Sequence, residues 1–143
     1  MAETPPFSPM LALLVVAHSL EAELTAQLRP LDLTPRKYAL LGHIKASPGV
    51  SFSELARRSQ TSVQNVHVAV KALTASGFVH DDTAQAGASS TLRISKAGLQ
   101  VLTRAHNRRA AIDDRIRETM PGLADGLAGA LRALTIGPAD EGR

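Results

Sequence analysis

The sequence predicts a mainly α-helical fold with one small β-hairpin, and three features of its 143 residues lead there. A hydroxyl residue stands directly before proline at Ser8-Pro9 and Thr34-Pro35. The hydroxyl caps a free N–H, and proline at the first helical position lacks only an N–H that would have had no partner, so helices begin at both sites. Two short capped segments, SFSELARRS and SVQNVHVAVKALTASG, follow one another across a gap of about three residues. Two alternating segments, FVHDD and STLRIS, flank TAQAGAS, which lacks structure-forming residues.

The first helix is expected from Pro9 to Arg29, ending before Pro30. Its early part is apolar almost all round, and Leu20, Leu24 and Leu28 continue a single stripe, so it requires burial on several sides. The second helix runs from Pro35 to Ala46 and stops in the turn made by Pro48 and Gly49. Ser51 and Glu54 fit a capping box, with the hydroxyl and the carboxylate each satisfying an orphan N–H of a short third helix. Ser62 offers a fresh N-cap, so the third helix ends near Ser59 to Thr61 and a fourth occupies the segment 61 to 77. Gly77 stands where a helix end needs a left-handed residue. Ser95 caps a long helix from Lys96 to Glu118, Pro121 restarts a last one carrying Leu123, Leu127, Leu131 and Leu134, and IGPADEGR is a frayed tail.

Composition narrows the function classes. One domain suits this length, and the absence of cysteine excludes disulfides, thiol nucleophiles and thiolate zinc sites, as suits a reducing cytoplasm. MAETPPFSP has no basic leader region, and MLALLVVA is too short to span a bilayer before His18 and Glu21 interrupt it, so a cytoplasmic protein without membrane contact is expected. The five histidines form no HxxxH or HxH pair, and no nucleophile elbow, phosphate loop, dinucleotide fingerprint or carboxylate pair is present. No metal, cofactor or catalytic residue is therefore expected. The net charge of +3 is uneven: residues 1 to 28 carry −3, residues 29 to 80 carry +5, and the remainder carries +1. A basic middle suits a local polyanion-binding face.

The fourth helix has two faces. Val66, Ala69, Val70 and Leu73 recur at the spacing of a buried stripe, while Gln64, Val68 and Lys71 collect on the opposite side, with Asn65 and His67 on its shoulders. Short polar groups near the start of a seated helix are what a recognition helix brings to base edges. Gln64 and Asn65 suit adenine, Val68 suits a thymine methyl, and His67 can donate or accept. Lys71, one turn on, is placed for phosphate, as are the clustered Arg36, Lys37, Arg57 and Arg58.

The segments LDLTPRKYALLGHI, SFSELARRSQTSVQNVHVAVKALTASGFV and LRISKAG resemble the MarR (multiple antibiotic resistance regulator) family of transcription factors. The resemblance covers residues 9 to 135. It implies a winged helix-turn-helix DNA-binding lobe at 34–95, flanked by an N-terminal dimerisation helix in 1–33 and C-terminal dimerisation helices in 96–143. It also implies a homodimer that binds a pseudo-palindromic double-stranded operator, and Ser62 as a phosphate contact. The family's wing carries an arginine that enters the minor groove, whereas TAQAGASS has no basic residue, Asp81 and Asp82 sit at its base, and Arg93 is the only cation nearby. Weak minor-groove engagement is expected.

Family members bind small, often aromatic, anionic effectors between the dimerisation helices and the lobe. His18, Tyr38, His43 and His106 lie on helices that line such a site, and Arg109 falls in the apolar arc of Leu102, Ala105, Ile112 and Ile116. Arg109 is either an effector contact, an intersubunit partner of Glu21 or Glu23, or a cation at the interface edge. The expectation is a homodimeric repressor relieved by an effector; the rival is a winged-helix protein-interaction module that does not bind DNA.

Overall fold

The computed structural model describes residues 4–81 and 92–135. In chain order it comprises α1 (Pro9–Leu28), a 3-10 turn (Arg29–Leu31), α2 (Pro35–Ala46), α3 (Phe52–Arg58), α4 (Val63–Ala75), β1 (Val79–His80), β2 (Arg93–Ile94), α5 (Lys96–Thr119) and α6 (Pro121–Thr135). The fold is mainly α with a two-stranded antiparallel hairpin in which Val79 faces Ile94 and His80 faces Arg93. Residues 82–91 between the strands, and with them the expected wing tip, lie outside the described residues. So does the tail after Thr135. The chain forms two compact units, Met1–Arg108 and Arg109–Arg143, with the division inside α5.

Each expected cap forms. The hydroxyls of Ser8, Thr34, Ser51, Ser62 and Ser95 accept from the N–H groups of Leu11, Lys37, Glu54, Asn65 and Gly98 at 3.0–3.4 Å. The capping box at Ser51 is only half made. Glu54 turns its carboxylate away from the helix start to accept from Arg57 and Arg58, because two guanidinium donors outcompete one backbone amide.

Three helix ends use one device. The residue after the last turn takes a left-handed conformation at Asp32 (φ 58°), Gln60 (φ 50°) and Gly77 (φ 77°). The following N–H then reaches back five residues, from Leu33 to Leu28, Thr61 to Ala56 and Phe78 to Leu73. This double closure satisfies carbonyls that a helix end leaves orphaned. Asp32 also accepts from Ser76 Oγ at 2.7 Å, linking the end of α1 to the end of α4.

The core of the first unit gathers Leu28, Leu31 and Leu33 with Leu40, Leu41 and Ile44 of α2, Leu55 of α3, the inner face of α4, and Val101, Leu102 and Ala105 of α5. Leu92 buries its side chain there while its carbonyl accepts from Gly49, pinning the α2–α3 connection to the hairpin. Ser95 is a second junction: its hydroxyl donates to the Gly77 carbonyl at 2.6 Å, and its N–H donates to the Phe78 carbonyl at 2.9 Å. The first turn of α5 thus lies against Phe78, so close that a Cβ at Gly98 would stand 2.1 Å from the Phe78 carbonyl oxygen.

Much apolar surface in both units stays uncovered. Leu28 is the only buried residue of α1, and Met10, Leu11, Leu14 and Val15 are exposed. Helix α6 buries none of its residues, and Leu131 and Leu134 are 65% and 82% exposed. With its 3-10 extension, Pro9–Leu31, α1 is long and apolar enough by length and composition to cross a membrane. As its expected span from Pro9 to Arg29 required, the helix continues through His18, Glu21 and Glu23 and is longer than the MLALLVVA run.

Two substitutions test these constraints, with stability read by denaturant unfolding at fixed protein concentration. Gly98→Ala is expected to cost about 3 kcal/mol or more, because the obstructing atom is backbone and cannot swing aside. Gln60→Gly is expected to leave stability unchanged or raise it by up to about 1 kcal/mol, since relief of left-handed strain offsets the added freedom of the unfolded chain. A loss at Gln60→Gly would show that the turn is held by the glutamine itself.

Candidate nucleic-acid interface

Helix α4 is fixed by its inner face. Val66, Ala69, Val70 and Leu73 are buried against α2, α3 and β1. Each large aliphatic side chain so placed contributes about 1.5–3 kcal/mol, enough to hold the helix and leave its other face to solvent. On that face Gln64, Asn65, Val68 and Lys71 are all exposed.

The neighbours of the expected base-contacting residues separate them. Asn65 donates through Nδ2 to Thr61 Oγ1 at 3.1 Å, which draws its amide back toward the start of the helix. His67 lies flat on Phe52, with ring centroids 4.1 Å apart and planes within 12°. Phe52 was not legible as a partner, because it opens α3 and no helical spacing links it to residue 67. No described hydrogen bond holds Gln64, and Val68 is 66% exposed. Lys71 lines a cleft of about 510 Å³ with Phe52, His67, Val70, Thr74, Ala75 and Asp81.

The basic residues also divide. Arg36 is exposed in the first turn of α2, and Lys37 beside it is half-buried. Ser62 is exposed and caps α4. Arg93 is exposed on β2. Arg57 and Arg58 share the Glu54 carboxylate, Arg57 through Nε at 2.9 Å and Arg58 through Nε at 2.8 Å, and Arg58 also donates to Ser47 Oγ at 2.8 Å. Hydrogen bonds from Arg57 and then Arg58 hold the Glu54 carboxyl down at about 2, and the same pairing raises Arg57. One carboxylate therefore offsets part of the charge the sequence assigned to this face.

Of the residues expected to line an effector site, two meet. Tyr38 Oη lies 2.5 Å from His106 Nδ1, and the rings touch edge-on at 5.4 Å, joining α2 to α5. His43 is half-buried on α2. His18 is exposed on α1 and lines a cleft of about 350 Å³ with Glu21, Ala22, Thr25 and Arg29. Arg109 belongs to the second unit, where its Nε lies 3.4 Å from Asp113 Oδ2 one turn along the same helix, a partner the sequence reading did not consider. Among the described residues no three His, Asp or Glu side chains gather where a metal ion could be held.

The Glu54 pairing sets a pH dependence with a definite sign. A carboxyl held below its ordinary value near 4.5 adds stability that is present above that value and is lost as pH falls through about 2. Between these limits wild type is expected to lose stability that Glu54→Gln never had, so the gap between their denaturant midpoints narrows on acidification. A constant gap would show that the arginines do not favour the ionised carboxylate.

Residues 31–87 match the MarR family. No curated protein matches the sequence. Among solved structures, the MarR family protein Rv2887 of Mycobacterium tuberculosis in complex with DNA superposes with a TM-score of 0.73 at 23% identity, over 89% of this chain and 98% of its own. The same protein in complex with salicylic acid gives 0.67 at 24%, over 89% and 96%. The transcriptional repressor CouR bound to a 23-mer DNA duplex gives 0.78 at 22%, over 90% and 92%. The match over residues 31–87 and these superpositions together give the chain the fold of the MarR-family structures.

Proposed function

We propose that this chain is a homodimeric, sequence-specific regulator of transcription that binds double-stranded DNA, acts as a cytoplasmic repressor, and is relieved by a small aromatic or anionic effector. The carrying observation is α4, seated by a buried apolar face and presenting an outer face whose first two turns carry amides and aliphatic side chains and no Lys or Arg before Lys71. Such a face suits base edges, and Arg36, Lys37, Lys71 and Ser62 beside it suit phosphates. The DNA complexes of Rv2887 and CouR, both similar in fold, support the same reading.

Dimerisation follows from the uncovered apolar faces of α1 and α6, since surface of this kind marks an association site. A two-fold axis would set two copies of α4 into successive major grooves about 34–36 Å apart. The salicylic acid complex of Rv2887 supports an aromatic anion as effector class. Here the Tyr38–His106 contact, which joins a lobe helix to α5, is the element such a ligand would bias. A ligand releases DNA only through its different affinity for the bound and free arrangements.

Two observations favour the rival protein-interaction module: the wing segment between the strands has no lysine or arginine, and Glu54 occupies Arg57 and Arg58. Salt separates the readings. If Arg36, Lys37 and Lys71 of each protomer meet phosphate, log affinity against log salt falls with a slope of about −5, whereas a module that does not bind DNA shows no duplex affinity to titrate. Sedimentation of wild type is expected to give a dimer and of Leu131→Arg a monomer. A wild-type monomer that partitions onto lipid vesicles would instead assign α1 to a bilayer.

A further inference from the structure

We infer that α4 reads A·T pairs, with Gln64 spanning an adenine edge and Val68 lying against the C5-methyl of a neighbouring thymine; this rests on the DNA-binding reading above and adds its base chemistry. Four residues of the helix start were open to this role by sequence, and the structure divides them. Asn65 is drawn back to Thr61, and His67 is stacked on Phe52. Gln64 and Val68 remain, four residues apart and so one above the other on the same exposed face. Val68 has no place in the core, because its neighbours Ala69 and Val70 fill that side.

The chemistry of the pair selects the base. Guanine is read chiefly by arginine or lysine at O6 and N7, and no lysine or arginine occurs from Ser62 through Val70. Lys71, the first cation, lies about two turns beyond Gln64, in the cleft with Phe52 and Asp81. A glutamine amide both donates to adenine N7 and accepts from N6, an edge that guanine does not present. The thymine methyl is the only apolar group in the major groove, and an exposed valine is its natural contact.

The test uses the full-length protein and its own selected site. Duplexes retained from a random pool are sequenced, and binding is then measured with thymidine replaced by deoxyuridine, which lacks the methyl, or adenosine by 7-deaza-deoxyadenosine, which lacks N7. Half-sites centred on A·T are expected. Each contacted methyl removed should weaken wild type about fourfold, and 7-deaza substitution at the Gln64 position about fivefold or more. Val68→Ala should bind thymidine and deoxyuridine duplexes alike, Gln64→Ala should ignore the 7-deaza change, and Asn65→Ala should respond as wild type does. All three positions are on the exposed face, so the variants keep their fold. Selective binding that ignores both modifications, G·C-centred half-sites, or a 7-deaza response lost in Asn65→Ala instead of Gln64→Ala overturns this assignment alone. Absence of any duplex binding overturns the regulatory reading together with it.

Discussion

The rest of the lobe depends on the burial of one side of α4. Val66 and Leu73 are wholly enclosed, and the helices and strand around them close only when this face points inward. The composition of the outer face is then free of packing demands, which is why a solvent-facing valine and an uncommitted glutamine persist there. Folding contributes orientation, and the exposed side chains contribute chemistry. Neither can be varied without regard to the other, because helical geometry fixes where each successive residue points.

Much of this was legible in the sequence. Hydroxyl caps at Ser8, Thr34, Ser51, Ser62 and Ser95 set every helix start in the first unit, because a local hydrogen bond to a residue three positions on needs no tertiary information. Gly77 was legible for the same reason. The end of α3 near Ser59 to Thr61 was legible from the fresh cap at Ser62, but its left-handed residue was not, because Gln60 is no glycine. The apolar face of α4 was read correctly from periodicity, whereas the distinction among its outer residues was not, since Thr61 holds Asn65 and Phe52 holds His67 only once the two helices are assembled.

Charge proved the least transparent quantity. The run Glu54, Arg57, Arg58 reads as a capping carboxylate followed by two cations for phosphate, yet the three form one exposed cluster. Exposed pairs of this kind add little to stability. Their effect here is on the field: a counterion carried in the same helix trims the basic character of the middle segment, whose other cations are Arg29, Arg36, Lys37, Lys45 and Lys71. In the same way Arg109, placed by periodicity in an apolar arc, finds Asp113 in its own helix.

The contact at Gly98 bears on how a signal could travel. With no room for even one methyl group between the first turn of α5 and the backbone of Phe78, that turn and the segment leaving α4 behave as a single rigid piece. His106 stands eight residues along the same helix, about 12 Å away by helical rise. Whatever tilts α5 at the histidine works a short stiff lever whose other arm is held against the segment that leaves α4, so displacement there is transmitted instead of absorbed.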